Sequence, residues 1–271
     1  MTLPVCDGLN SPIGVFDSGV GGLSVLRAIR EALPHEHLLY VGDSAHAPYG
    51  DKPASYIEAR AGFLARALLA RNAKALVVAC NTATVVAVQG LRSWCPVPIV
   101  AMEPAIKPAT RCTRSGIVGV LATRQTLASA SVKRLCALYG GDVQVMLQAC
   151  PGWVEQIERA DLSSAQTRNL VEASVMPLVQ AGVDTLVLGC THYPFLRTLI
   201  QQIAGPGVTL IDPAAAIAQE LSRRLEGQAR PPAEPPASEL FLTTGEPEAV
   251  QAVIGQLWGC AVPVGQLFDQ P

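Results

Sequence analysis

Apolar and polar stretches alternate along the chain in a way that predicts strands separated by helices. Short runs rich in Val, Ile and Leu recur at residues 13–17, 37–43, 75–79, 97–102, 117–123, 143–147, 185–189 and 208–212. Longer stretches with helical periodicity lie between most of them, for example at residues 55–71, 125–139 and 164–181. Repeated β-α units of this kind build a mostly parallel sheet with helices on both faces. The predicted fold class is therefore α/β, with doubly wound domains.

The strand pattern restarts at about residue 104, which predicts a second α/β unit over residues 104–213. A proline-rich loop at residues 231–236 is too short to link independent folding units. The strand and helix that follow it, at residues 241–258, are too small to fold alone and should return to the first unit. We therefore predict one domain from residues 1–103 plus 214–271 and another from residues 104–213.

Two of the apolar runs end in a cysteine, followed by polar residues that favour a helix start. Cys80 precedes Asn-Thr and Cys190 precedes Thr-His. Ligands of open α/β sheets bind at the carboxyl ends of strands, and a helix start there lowers a thiol pKa from about 8.5 toward neutrality. We expect the two thiols to face each other across a substrate in the cleft between the domains. One thiol can then remove a proton from a carbon while the other protonates its opposite face, as a racemase or epimerase requires.

Other uses of these cysteines stay open. His192 lies two residues from Cys190, so a Cys–His nucleophile pair is an alternative. A redox pair is a second alternative, although the two thiols are not in a Cys-x-x-Cys arrangement. A metal site is the weakest, because the ligands lack a recognisable spacing and the chain has 4 histidines. The remaining cysteines outside these motifs are predicted to pack in cores: Cys6, Cys95, Cys112, Cys136 and Cys260.

A glycine-rich turn follows the first predicted strand at residues 17–22. Glycines let the backbone approach an anion, and the N–H groups of the following helix would bind it. The turn lacks the lysine of a P-loop and the full dinucleotide-binding spacing, so a nucleotide is not implied. Asp17 at the end of the strand is either a helix cap or a residue of the site.

Charge and composition exclude several classes. The net charge is −2 over 271 residues, without a basic run, so nothing indicates a nucleic acid or an anionic membrane as partner. The N-terminus does not resemble a signal peptide, and no apolar run approaches the roughly 18 residues of a membrane span. We expect a cytoplasmic protein without disulfide bonds or structural zinc.

Six short motifs lie along the chain: residues 16–26 (FDSGVGGLSVL), 48–50 (PYG), 79–83 (ACNTA), 102–104 (MEP) with Lys107 and Pro108, 149–151 (ACP) and 189–194 (GCTHYP). In these motifs and their order, the sequence resembles the glutamate racemase family over about residues 12–213. The resemblance implies a cofactor-independent interconversion of L- and D-glutamate that supplies D-glutamate for peptidoglycan. It also implies two pseudo-symmetric α/β domains that close over the substrate.

The resemblance implies roles for individual residues. Cys80 would act on the α-proton of D-glutamate and Cys190 on that of L-glutamate, with Asp17 and His192 as the helpers that tune the thiols. A supporting carboxylate falls on Glu158. The residues that would contact the substrate are Asp17, Ser18, Tyr49, Gly50, Asn81, Thr82, Thr191 and His192.

Two features leave alternatives open. Glu155 is close to Glu158 in sequence and competes for the role of supporting carboxylate. Many family members have Arg shortly before Pro-Tyr-Gly, whereas this chain has His46.

The charge of the substrate is a separate point. A dianionic substrate would ordinarily meet Arg or Lys, yet the motifs offer hydroxyls, an amide and backbone N–H groups.

No cofactor is predicted, because the lysines stand in no recognisable pyridoxal phosphate motif; they are Lys52, Lys74, Lys107 and Lys133. The alternatives in substrate are aspartate or another acidic amino acid. From a different class, a catalytically silent carboxylate-binding protein would have the same pocket. A homodimer is plausible, because closed domains often pair.

Overall fold

A computed structural model describes residues 8–231 and 237–268. The first elements are β1 (Ile13–Asp17), α1 (Leu23–Ala32), β2 (Leu38–Gly42), α2 (Ala54–Leu69), β3 (Ala75–Val78), α3 (Asn81–Arg92) and β4 (Ile99–Ala101). They are followed by α4 (Ile106–Cys112), β5 (Ile117–Ala122), α5 (Arg124–Ala128), α6 (Ala130–Tyr139), β6 (Gln144–Ala149), α7 (Trp153–Glu158), α8 (Ala165–Gln180), β7 (Thr185–Leu188), α9 (Arg197–Ala204) and β8 (Thr209–Ile211). The last are α10 (Ala214–Arg224), β9 (Glu239–Thr243), α11 (Pro247–Trp258) and β10 (Val264–Gln266). In these two described ranges, no helix is both long enough and apolar enough to cross a membrane.

The strands form two sheets, and every strand pair in both is parallel. The first sheet has the order β10-β9-β2-β1-β3-β4, and the second has the order β6-β5-β7-β8. The core of the first, β2-β1-β3-β4, therefore has the same connectivity as the whole of the second. This confirms the predicted α/β class with two doubly wound sheets, and it makes β1 equivalent to β5 and β3 equivalent to β7.

Alternating side chains of the central strands enter different cores, which explains their continuous apolar runs. On β1, Val15 joins the core on the α1 side of the sheet, whereas Phe16 packs on the opposite face with apolar residues of α2 and α3. The core that contains Val15 continues into the second sheet through Leu121 and Leu188. The two sheets are therefore joined by packed side chains and by backbone connections.

Several predicted boundaries change in the structure. The helix predicted over residues 125–139 is two helices, because Ser129 is extended and its hydroxyl caps α6 by accepting from the N–H of Val132. The helix predicted directly after Cys190 begins at Arg197 instead, after a 3-10 turn at Tyr193–Leu196. Helix α4 and strand β10 are short and were not predicted.

The C-terminal segment lies against the first sheet. β9 pairs with β2, β10 pairs with β9, and α10 packs against α1. Residues 232–236 of the proline-rich loop lie outside the described residues. The division into residues 1–103 plus 214–271 and residues 104–213 remains our prediction.

The prediction that the remaining cysteines pack in cores is wrong for two of them. Cys112 and Cys260 are exposed, because each lies at or just beyond the end of a surface helix. Cys95 and Cys136 are half-buried, and Cys6 lies outside the described residues. The described cysteines are all free thiols.

Candidate active site

Cys80 lies two residues beyond β3 and caps the start of α3. Its Sγ accepts the N–H of Ala83 at 3.4 Å and donates to the hydroxyl of Ser18 at 3.7 Å. Burial raises the pKa of the Cys80 thiol well above its ordinary value, and the nearby charge of Asp17 raises it further. The prediction that the helix start brings this pKa toward neutrality is therefore wrong, because desolvation outweighs the single amide donor.

Asp17 at the end of β1 is fully buried and joins the two domains. One oxygen accepts the Thr191 hydroxyl at 2.9 Å, and the other accepts the Ser18 hydroxyl at 3.0 Å. Burial raises the pKa of Asp17, while the positive charge of His192 partly offsets that rise. Helix α1 begins after Gly22 without a side-chain cap, so Asp17 does not act as the helix cap considered from the sequence.

Cys190 lies two residues beyond β7, the position equivalent to that of Cys80. Its Sγ is 3.7 Å from Nδ1 of His192, and Nε2 of His192 is 2.6 Å from Oε1 of Glu158. Burial alone lowers the pKa of His192, but the hydrogen bonds to Cys190 and Glu158 outweigh it and raise the pKa well above 6.5. The raised pKa favours the protonated ring, in which both nitrogens can donate.

The glycine-rich turn contacts this His–Glu pair directly. The Val20 N–H donates to Oε1 of Glu158 at 2.8 Å. A Cβ on Gly19 would lie 1.8 Å from that same oxygen, and a Cβ on Gly21 would lie 2.2 Å from Nδ1 of His192. The anion predicted for this turn is thus the protein's own carboxylate, which reaches it from the second domain.

Residues 13–221 of the sequence match the family described as Asp/Glu/Hydantoin racemase. The chain belongs to this racemase family. Its relatives include a glutamate racemase of Methylococcus capsulatus, which is 53% identical over 252 residues that cover 93% of each chain. The resemblance noted in the sequence is thereby confirmed, and the chain is a member of a family of isomerases.

Solved structures of the family have the same fold. A glutamate racemase of Bacillus anthracis has a TM-score of 0.85 at 32% identity, and 95% of this chain and 97% of that chain are covered. The Escherichia coli glutamate racemase in complex with L-glutamate and the activator UDP-MurNAc-Ala has a TM-score of 0.84 at 34% identity, with 95% and 98% covered.

In this racemase, Asn81 is buried beside Cys80 at the start of α3. Neither the nitrogen nor the oxygen of its amide has a hydrogen-bond partner among the residues that the structure describes. A buried polar group without a partner is costly and usually marks a ligand or a mechanistic role. The Asn81 amide can donate to a carboxylate and accept from an ammonium group.

A cluster of threonine hydroxyls links Asn81's neighbour Thr82 to the second domain. Oγ1 of Thr82 is 3.0 Å from Oγ1 of Thr123 and 3.3 Å from Oγ1 of Thr126, and the latter two are 3.0 Å apart. Thr123 and Thr126 were not predicted as site residues from the sequence. Thr123 directly follows the apolar run of β5, so the strand-end rule that identified Cys80 could have found it.

Tyr49 and Gly50 lie on a 3-10 turn between β2 and α2. The Tyr49 hydroxyl donates to Asp43 at 2.5 Å, and a Cβ on Gly50 would lie 3.2 Å from the side chain of Thr123. The Thr191 hydroxyl donates to the carboxylate of Asp17. All of the sequence-predicted site residues thus lie at the carboxyl ends of the two sheets or in the connections beside them.

The structure separates Glu155 and His46 from the His192 network. Glu155 lines a cavity at the domain boundary together with Gly50, Cys150 and Arg124, whereas Glu158 contacts His192. His46 lies in a surface turn, where Nδ1 is 2.5 Å from the hydroxyl of Tyr56. Among residues 8–231 and 237–268, no group of three His, Cys, Asp or Glu side chains is arranged to hold a metal ion.

Proposed function

We propose that this chain is a glutamate racemase that interconverts L- and D-glutamate by proton transfer between Cys80 and Cys190. The observation that carries the proposal is the presence of two buried thiols at equivalent strand ends, each with its own polar partner. Asp17 links the two sides: it accepts the hydroxyl of Thr191, the neighbour of Cys190, and the hydroxyl of Ser18, which in turn accepts from Sγ of Cys80. A substrate carbon between them would have one thiol on each face.

The surroundings of the two thiols determine which one donates a proton and which one removes it. The raised pKa of Cys80 keeps it protonated and ready to donate. The imidazolium of His192 stabilises a thiolate at Cys190, and Glu158 balances its charge. In this state Cys190 removes the α-proton of L-glutamate while Cys80 protonates the opposite face, and D-glutamate forms. This transfer leaves Cys80 as the thiolate and Cys190 as the thiol, which is the state from which D-glutamate is converted back. When that state forms without substrate, the buried carboxylate of Asp17, connected to Cys80 through the Ser18 hydroxyl, can accept the Cys80 proton.

The polar groups of the site suit an amino acid with two carboxylates. The unpartnered Asn81 amide and the hydroxyls of Ser18 and Thr82 offer neutral hydrogen bonds at strand ends and a helix start. Neutral donors of this kind bind carboxylates without placing a fixed cation beside the thiols. Two relatives support glutamate: the sequence of the Methylococcus capsulatus protein and the L-glutamate complex of the Escherichia coli enzyme.

The proposed reaction needs no cofactor. Three of the lysines are engaged elsewhere: Lys74 pairs with Glu36, Lys52 lies over the ring of Tyr56, and Lys107 lies over that of Tyr139. Purified protein should therefore be active without added pyridoxal phosphate. An absorbance band from tightly bound pyridoxal phosphate, removed together with the activity, would contradict this.

Isotope exchange tests the two-thiol mechanism. The wild type and Cys136→Ser, a control far from the site, should convert either enantiomer in deuterated water with deuterium at the α-carbon. Cys80→Ser and Cys190→Ser should both fail to racemise. Cys80→Ser should still exchange the α-proton of L-glutamate through Cys190, and Cys190→Ser that of D-glutamate through Cys80.

Other outcomes would redirect the proposal. Faster conversion of aspartate than glutamate would make the protein a racemase for the shorter acid. Binding of glutamate without exchange in the wild type would make it a carboxylate-binding protein.

We also propose that the enzyme supplies D-glutamate for peptidoglycan in the cytoplasm and that it acts as a homodimer, which analytical ultracentrifugation of the purified protein would test. Expression in a bacterium deprived of its own glutamate racemase should restore growth and cell shape without added D-glutamate. Cys80→Ser should not restore growth. Growth restored by the inactive variant would contradict this role.

A further inference from the structure

Asp43, at the carboxyl end of β2, is a buried carboxylate that the proposed proton transfer does not use. It lies next to the site, because its N–H donates to the carbonyl of Asp17 at 2.9 Å. One of its oxygens accepts the Tyr49 hydroxyl at 2.5 Å and Nε of Arg60 at 3.0 Å. The other accepts Nη2 of Arg60 and the hydroxyl of Thr244, both at 2.8 Å.

These four donors occupy the acceptor positions of the carboxylate. A carboxylate offers about four lone-pair sites, and a forked contact with arginine fixes its plane as well as its charge. Asp43 is completely buried, and only 11% of the Arg60 side chain is exposed. Asp43 is therefore held in one place and orientation by its partners.

The anchored group is the turn that carries Tyr49 and Gly50. The Tyr49 ring is buried in the same apolar cluster as Cys80. On its other side, Gly50 meets Thr123, whose hydroxyl contacts Thr82. A shift of this turn would move groups on both sides of the substrate.

We propose that Arg60 is a positioning residue for the racemase reaction, which fixes the Tyr49–Gly50 turn through Asp43 and thereby sets the affinity for the amino acid. Arg60 lies on α2 and reaches the turn through Asp43. Without it, the buried Asp43 would lose its counter-charge and two of its four donors, and the direction of its remaining hydrogen bond to Tyr49 would no longer be fixed. This inference rests on the proposed function.

The test compares Arg60→Met with Arg66→Met on the same helix. Arg66 lies over the ring of Trp94 and contacts the carbonyl of Gly62, away from Asp43. Arg60→Met should raise KM for both enantiomers about tenfold, the effect of one charge-assisted hydrogen bond, and change kcat by less than about threefold. Arg66→Met should leave both constants unchanged.

Two further variants separate positioning from simple stability. Arg60→Lys retains the charge without the fork and should give an intermediate KM, and it keeps the test possible where Arg60→Met fails to fold. Tyr49→Phe should raise KM by itself and remove most of the additional effect of Arg60→Met, because both act through one contact.

Specific outcomes overturn the inference. A lowered Tm with KM within about twofold of the wild type in both Arg60 variants would assign Arg60 a structural role alone. Additive effects of Arg60→Met and Tyr49→Phe would show that Arg60 does not act through the turn. Failure of the proposed function is distinguished from these results, because then the wild type and Arg66→Met would also be inactive on glutamate.

Discussion

Replacing Gly19 with alanine should lower the rate of racemisation, although the substitution changes neither thiol. The new Cβ would lie 1.8 Å from Oε1 of Glu158 and 2.6 Å from its Cδ. That oxygen makes both contacts that hold the carboxylate, to the N–H of Val20 and to Nε2 of His192. The carboxylate must therefore move, and both hydrogen bonds are lost together.

The size of the effect follows from these two contacts. Hydrogen bonds to a charged group contribute about 1.5–3 kcal/mol each. The Glu158 side chain is 18% exposed whereas His192 is 2% exposed, so water replaces part of the loss and the lower end of that range applies. The hydrogen bond from Glu158 to His192 acts on the reacting thiol, because His192 contacts Cys190. Losing about 1.5–2 kcal/mol from this hydrogen bond corresponds to a roughly 10–30-fold lower rate.

The assay is racemisation followed from each enantiomer. Since the enantiomers have equal free energy, kcat/KM must fall by the same factor in both directions. Gly90→Ala is the matched control, because a Cβ there meets nothing within 4 Å and alanine favours the helix. In a Glu158→Ala background, Gly19→Ala should have little further effect.

A Gly19→Ala enzyme within about twofold of the wild type would refute the reasoning, since it would mean that Glu158 contributes little through its position. A rate loss of equal size in the Glu158→Ala background would also refute it, because the clash would then act elsewhere.

Two further predictions concern binding and stability. Asn81→Ala should raise KM about tenfold or more while Tm stays within about 2 °C of the wild type, since the amide has no hydrogen-bond partner in the described part of the chain and its loss breaks no hydrogen bond. A large fall in Tm with unchanged KM would contradict this. The raised pKa of His192 stabilises the folded protein fully below the ordinary value of 6.5, and this contribution disappears as the pH rises through the raised value. Denaturant unfolding of the wild type and His192→Gln should therefore show a stability difference that shrinks toward alkaline pH, and a difference that grows with pH would be the opposite of what the geometry requires.

The strand ends were predictable because the signal for them is local. β1, β3 and β7 are buried on both faces, so each is a continuous apolar run that ends abruptly in polar or sulfur-containing residues. That local pattern was enough to place Cys80 and Cys190 at equivalent positions. The same rule applied to β5 would have added Thr123.

The properties that could not be predicted depend on contacts between distant parts of the chain. The glycine-rich turn has its composition because Glu158 and His192 approach it from the second domain, more than a hundred residues away. The high pKa of Cys80 likewise follows from burial that only the assembled fold produces. The sequence signal for the break between α5 and α6 at Ser129 is local but weak, because one serine can either cap a new helix or continue the existing one.

The pairing of β9 with β2 has a consequence for the order of folding during synthesis. The register joins Leu38 to Glu239, about two hundred positions later in the chain. The second sheet uses strands from one continuous stretch and can be completed as soon as that stretch leaves the ribosome. The edge of β2 must wait until β9 is made, and during that interval it is an unpaired strand edge that a chaperone or another nascent chain can contact.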